Sequence, residues 1–309
     1  MGRHGWRRLS GIRCAAVSRA YRGARGGGKH ECHQGPFVAE RNRLQRLSQG
    51  EVHLWFAAPG ETGDPLESDD VDPVLGPREK ERLKRLRSPA GRRLFAVSHT
   101  LVRTALSRYA GIRPGEWRFA DNAHGKPLID PSIGSPPLSF SLAHTQGLAA
   151  VAATRGEDIG VDLEREDRRV DAERVIGRFF SPGEAAALRG LPHERRRKLF
   201  FLYWTLKEAY VKARGLGLML PLDSFAFRLE GPIPFRIGFS AIPPEAPDEW
   251  RFALFRPLPH YAAAVCVRTH RSDPLSIRCF QALPSGKTSV LSAEFLGGST
   301  GVGMDDGEG

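Results

Sequence analysis

Cysteine is scarce and poorly spaced for chemistry. The 309-residue chain has four, Cys14, Cys32, Cys266 and Cys279, and no CxxC pair. That argues against a cysteine-built zinc site or a disulfide framework, and a reducing cytoplasm is the default expectation. Long apolar runs are also missing, since none reaches the roughly 18 residues a membrane span needs. The arginine-bearing start lacks a continuous apolar segment, so no signal peptide is expected. Its glycine run argues against an amphipathic transit helix. The chain has no glycine-rich P-loop and no Rossmann fingerprint, and its one Gly-x-Ser-x-Gly match, Gly297–Gly301, lies in the small, glycine-rich C-terminal stretch, so no covalent serine or cysteine intermediate is expected.

Positive charge is plentiful but uneven. The formal net charge is +11. Residues 1–50 hold eleven Lys/Arg against two Glu, whereas residues 281–309 hold one Lys against four acids. The middle of the chain is left with +5. A mildly basic globular part suits an anionic small molecule or an acidic protein better than a nucleic-acid track.

Composition divides the chain. Residues 1–45 are Arg/Gly-rich with little periodicity and read as a disordered arm. Residues 284–309 are small, polar and glycine-rich and read as a second tail. Between them lie two stretches, 51–158 and 159–270, each mixing helical and strand patterns. Arg78–Leu86 and Arg92–Tyr109 have helical spacing. Leu138–Leu142 alternates as a strand and ends at His144. Gly147–Thr154 and Ile159–Glu164 read as a hairpin around Arg155-Gly156-Glu157-Asp158. Ser181-Pro182-Gly183-Glu184 has the form of an N-cap, a first-turn proline and a capping-box acid. A helix from about Arg195 to Arg214 is closed by Gly215. Gly147-Leu148-Ala149-Ala150-Val151 is faintly echoed by Tyr261-Ala262-Ala263-Ala264-Val265, consistent with two similar α+β halves.

The chemistry gathers in two motifs. In Gly160-Val161-Asp162-Leu163-Glu164, the two acids are two apart and share one face of a strand. In Trp204-Thr205-Leu206-Lys207-Glu208-Ala209-Tyr210-Val211-Lys212, Trp204, Glu208 and Lys212 share one face of a helix. Carboxylates beside a lysine suit a hard cation that bridges to phosphate. Each group also has a plainer explanation. The acids could line the wet face of an edge strand, and Glu208 with Lys212 could be an ordinary i,i+4 pair. Lys126 in Gly-Lys-Pro could be a surface residue, and His144 a satisfied strand-end histidine. The case rests on their joint occurrence.

Taken together these segments resemble the 4′-phosphopantetheinyl transferases of the larger, surfactin-synthetase-activating type. Phe179-Phe180-Ser181-Pro182-Gly183-Glu184, Gly215-Leu216-Gly217-Leu218, Glu79-Lys80-Glu81-Arg82, Gly125-Lys126-Pro127 and Phe140–His144 also fit in order. The resemblance covers roughly 51–270 and excludes both tails. It implies an α+β fold of two similar halves in pseudo-twofold arrangement, with coenzyme A in the cleft between them. It implies Mg2+ on Asp162, Glu164 and Glu208, and catalysis by Glu208 and Lys212. Arg82, Lys126, Pro127, His144 and Lys212 would bind coenzyme A. The implied partner is an acyl or peptidyl carrier protein, and a monomer suffices. Ala143 departs from the pattern, which often has Ser before that histidine. Two rival readings remain: a nucleic-acid binder acting through the arm, and a carrier-binding module that has lost catalysis. A basic rim of Arg165, Arg168 and Arg169 is a candidate for steering an acidic carrier.

Overall fold

Strand residues alternate between two cores, and this alternation sets the layers. The computed structural model describes residues 44–59, 74–242, 246–282 and 287–305. Most of the basic arm, with Cys14 and Cys32, lies outside them. The chain opens with β1 (Glu51–Ala57), α1 (Pro77–Lys84) and α2 (Pro89–Ser107). A small hairpin of β2 (Phe119–Asp121) and β3 (Pro127–Ile129) precedes β4 (Leu138–Thr145), β5 (Leu148–Arg155) and β6 (Asp158–Arg165). Three helices come next, α3 (Ala172–Phe179), α4 (Pro182–Arg189) and α5 (His193–Arg214). Then come β7 (Phe225–Glu230), β8 (Phe235–Ala241), β9 (Trp250–Arg256) and β10 (Tyr261–Arg268). The last strands are β11 (Leu275–Ala282), β12 (Thr288–Val290), β13 (Glu294–Gly298) and β14 (Val302–Met304).

Two six-stranded sheets form, one ordered β12-β11-β1-β5-β4 with β14 also on β11, the other β6-β10-β9-β13-β8-β7. Odd and even residues of one strand face opposite sides. On β1, Val52, Leu54 and Phe56 join a core shared by both sheets, while Trp55 and Ala57 join a core beneath α2. On β10, Ala263, Val265 and Val267 enter the shared core, while Ala262, Ala264 and Cys266 enter the core beneath α5. The layers therefore run helix, sheet, sheet, helix, an α+β fold of two halves. The alanine-rich echo in the sequence is β5 and β10, inner strands buried on both faces. Such strands read as continuous small or apolar runs rather than as alternation.

Three expectations need correction. The 147–164 segment is not a hairpin, because both edges of β5 are taken by β1 and β4, and β6 pairs with β10 in the other sheet. The chain crosses between sheets there, turning at Gly156 with φ +79°. Within the expected C-terminal tail, residues 288–304 carry three short strands. Position 270 also does not end the second half. β11 returns to the first sheet and runs parallel to β1, whereas β13 enters the second beside β9. Short, small-residue strands carry little periodic signal, so their partners rather than their sequence define them.

His53 on β1 is 1% exposed. Trp55 Nε1 donates to the Tyr109 hydroxyl (2.7 Å), which lies 2.8 Å from His53 Nδ1. His53 Nε2 is buried without a partner. Burial lowers this histidine to about 4 from 6.5. The folded state thus holds it neutral, and its contribution to stability is full above about pH 6.5 and fades as pH falls toward 4. The expected loss over that window is of order 3 kcal/mol. Urea melts at stepped pH should show it, and His53→Gln should flatten that part of the slope.

Candidate active site

The site is built where the two halves meet. On β6, Ile159, Val161 and Leu163 enter the shared core, which turns Gly160, Asp162 and Glu164 toward α5. The Val161 amide donates to Ser141 Oγ on β4 (3.0 Å), tying this edge of the second sheet to the first. Helix α5 lies close against β6 because Gly160 has no side chain. A Cβ there would come within 2.0 Å of Ala209 O and 2.4 Å of Ala213 N.

The i, i+4, i+8 face of α5 meets the acids of β6 as its spacing requires. Trp204 Nε1 donates to Glu164 Oε1 (3.1 Å), and Lys212 Nζ donates to Asp162 Oδ1 (2.7 Å). Asp162 Oδ2 is buried with no hydrogen-bond partner. Burial, then the charge of Asp162, pushes both Glu208 and Glu164 above the usual carboxylate range. Arg168 partly offsets this at Glu164, with Nε 3.0 Å from Oε2 and a second nitrogen donating to Oε1 at 3.1 Å.

Three carboxylates here face two cations, Lys212 and Arg168, and one buried carboxylate oxygen has no partner. An oxygen-only donor set with surplus negative charge fits a hard divalent cation. As the side chains stand, no three His, Cys, Asp or Glu among the described residues are grouped to hold one. Lys212 and Arg168 occupy oxygens that a cation would share.

The N-terminal half contributes positive charge. His144, at the end of β4, is lowered to about 4, first by desolvation and then by the charges of Lys212, His99 and Arg82. Arg82 and Lys212 thus both lie within electrostatic reach of His144. His99 on α2 belongs there too. It was invisible in the sequence, where it sits 45 positions from His144. Glu79 braces this wall by accepting from His99 Nδ1 (2.9 Å), Arg103 Nε (2.8 Å) and the Gly76 amide (2.7 Å).

Lys126 is not an exposed turn tip. Its Nζ donates to Ile159 O (3.0 Å) and Ala213 O (3.1 Å), clamping the β2–β3 hairpin to β6 and to the end of α5. Two of its three N–H donors therefore serve the backbone, and Pro127 simply opens β3. The suggested basic rim is also largely committed internally. Arg165 pairs with Asp167 and Arg168 with Glu164, while Arg169 stays exposed.

Glu184 has a structural role. It completes the capping box with Ser181, accepts from the Phe227 amide (2.9 Å) and pairs with Lys207 (2.8 Å). Lys207 is fully buried and also donates to Leu222 O and Phe225 O (2.8 Å each). This pair fixes the rotation of α5 and hence the direction of Glu208. Lys207→Met, which strands the Glu184 charge, should cost about 3–5 kcal/mol in a urea titration.

Residues 158–266, from β6 through β10, match the family model described as the 4'-phosphopantetheinyl transferase superfamily. The 4'-phosphopantetheinyl transferase HetI of Nostoc is 38% identical over 172 residues, covering 56% of this chain and 72% of that protein. The chain belongs to the 4'-phosphopantetheinyl transferase superfamily. The transferase Sfp of Bacillus subtilis is 28% identical over 194 residues, 62% of this chain and 81% of its own. Another B. subtilis 4'-phosphopantetheinyl transferase is 27% identical over 212 residues, 66% of this chain and 92% of its own. This protein is thus an enzyme of the phosphopantetheinyl transferase kind, of the Sfp-like type. No helix among its described residues is long and apolar enough to cross a membrane.

Proposed function

We propose that this transferase moves the 4′-phosphopantetheine of coenzyme A to a serine of an apo acyl or peptidyl carrier protein, releasing 3′,5′-ADP. The observation that carries the reading is Asp162, one oxygen on Lys212 and the other buried without a partner. Two further carboxylates whose ionisation burial opposes stand beside it. Asp162, Glu164 and Glu208 would hold Mg2+, which when bound supplies charge neutralisation on the pyrophosphate.

The chain's own groups divide the remaining work. Glu208, buried and short of cationic partners, accepts the proton of the carrier serine. The serine oxygen bonds to the β-phosphorus as the bond from that phosphorus to the bridging oxygen breaks. The leaving 3′,5′-ADP takes up the electron pair on that oxygen. Lys212, next to the acids, donates to the phosphate oxygens as charge shifts toward the leaving group. Arg82 supplies positive charge to a wall that suits the 3′-phosphate of coenzyme A, with His99 and His144 beside it and His144 acting as a neutral donor. Ala143 offers no hydroxyl there. A cytoplasmic monomer is the matching expectation, since one chain supplies both walls of the cleft. Chromatography of the small-molecule products tests the reading. 3′,5′-ADP should form from coenzyme A only when apo carrier is present, and formation without carrier would point to simple hydrolysis.

A further inference from the structure

Of the three site carboxylates, Glu164 is held differently. Asp162 gives one oxygen to Lys212 and leaves the other buried without a hydrogen-bond partner. Glu164 faces a guanidinium with both oxygens. Arg168 Nε lies 3.0 Å from Oε2, and Arg168 Nη2 donates to Oε1 at 3.1 Å. Trp204 Nε1 donates to Oε1 as well, also at 3.1 Å. Asp162 and Glu164 share one face of β6, so a cation that bridges them meets the charge of Arg168 beside it.

Arg168 is not a loose surface partner. Its side chain is 25% exposed and that of Glu164 14%. It lies between β6 and α3, in a segment whose backbone is tied to α5. Arg197 Nη2 donates to Glu166 O and to Arg168 O, each at 3.1 Å. The guanidinium carbon sits 5.4 Å from the centroid of the fully buried Phe201 ring, a cation–π contact that also holds it in place. Arg197 and Phe201 are four apart on α5, the helix that carries Glu208 and Lys212. The same helix therefore places the arginine and the catalytic groups. The neighbouring cations are used otherwise, since Arg165 pairs with Asp167 and Arg169 is exposed.

We propose that Arg168 is a positioning residue that weakens the hold of the site on a divalent cation until the pyrophosphate of coenzyme A is present. This rests on the metal-assisted transfer proposed above. A carboxylate engaged by a guanidinium at both oxygens has less charge to offer, and a fixed guanidinium repels a second cation at close range. Mg2+ is usually held by one or two carboxylates together with substrate phosphates rather than by an all-protein cage. Arg168 enforces that arrangement. The carboxylates of β6 and α5 do not close on a cation by themselves, and the pyrophosphate brings the negative charge that offsets Arg168. Cation and coenzyme A therefore bind with positive coupling.

The test is uptake of Mn2+, which like Mg2+ suits carboxylate and water ligands, by the full-length protein. The paramagnetic resonance signal of the free ion follows it. Each titration is run with no carrier, first without and then with saturating coenzyme A, and is corrected for Mn2+ taken up by coenzyme A alone. The variants are Arg168→Gln, which removes the charge, Arg168→Lys, which keeps it, and Arg169→Gln at an exposed neighbour. Without coenzyme A, the expected Kd is at least about tenfold lower for Arg168→Gln, with the other two variants within about threefold of wild type. With coenzyme A the gap should close to about threefold or less, so the coupling shrinks. Unchanged or weaker Mn2+ binding in Arg168→Gln would overturn the inference. Equal tightening in Arg169→Gln would overturn it too, in favour of net charge alone. If coenzyme A brings Mn2+ to the wild type, Asp162→Asn abolishes that uptake and Arg168→Gln behaves as wild type, the metal centre stands and the role of Arg168 fails. If no protein takes up Mn2+ under either condition, both fail.

Discussion

Glu208→Gln should lower kcat by about 10²–10⁴-fold while leaving the fold as stable as before, or more so. The two effects have one cause. Burial and the charge of Asp162 both oppose ionisation of Glu208, so its charge does not stabilise the fold. Replacing it with an amide of equal volume removes the repulsion and the base together. The Lys212–Asp162 pair at 2.7 Å is left intact, so the site does not collapse. Steady-state kinetics on an apo carrier, paired with thermal melts, reads both effects. A variant within tenfold of wild type would remove Glu208 from the proton-transfer role. A large drop in melting temperature would show that Glu208 is structural instead.

Gly160→Ala should be far more damaging than its single methyl suggests. The new Cβ would meet Ala209 O at 2.0 Å, Ala213 N at 2.4 Å and Lys212 C at 3.0 Å. These are backbone atoms of α5, and no rotamer change can move them aside. The helix must lift from β6, at a cost of about 3 kcal/mol or more. Because Asp162 and Glu164 lie on β6 and Glu208 and Lys212 on α5, that same movement separates the catalytic groups. Activity should therefore fall further than the loss of folded protein explains. Gly183→Ala is the control, since a Cβ there meets nothing within 4 Å. That substitution, in the first turn of α4, should be neutral or stabilise by up to about 1 kcal/mol. Urea denaturation of both variants separates the two outcomes. A Gly160→Ala protein with wild-type stability and activity would show that β6 and α5 do not need this contact.

Local spacing made part of the site legible. The i, i+2 acids of β6 and the i, i+4, i+8 face of α5 come together because each period fixes which side chains share a side. The capping box at Ser181 and the Gly215 stop, with φ +64°, follow equally local rules. What stayed hidden depends on partners distant in sequence. His99 and Glu79 matter because α1 and α2 pack together. Lys126 looked like a turn tip and proved to be a clamp, because its two acceptors come from residues 33 and 87 positions away. Arg168 looked like a surface cation, yet it holds Glu164. Gly160 did carry a signal, since glycine inside a strand pattern often marks a close backbone approach. The strands beyond residue 284 were missed because small residues with glycine breaks show no alternation. Their identity comes from pairing with β8, β9 and β11.

The most direct test of the central claim is the intact mass of an apo carrier protein after incubation with this protein, coenzyme A and Mg2+. Parallel reactions would contain EDTA or the Glu208→Ala variant. The expected result is a mass gain of one phosphopantetheine group per carrier, absent in both controls. No gain with acyl and peptidyl carriers, or a gain that survives EDTA and Glu208→Ala alike, would contradict the assignment of Asp162, Glu164 and Glu208 as the centre of a metal-assisted transfer.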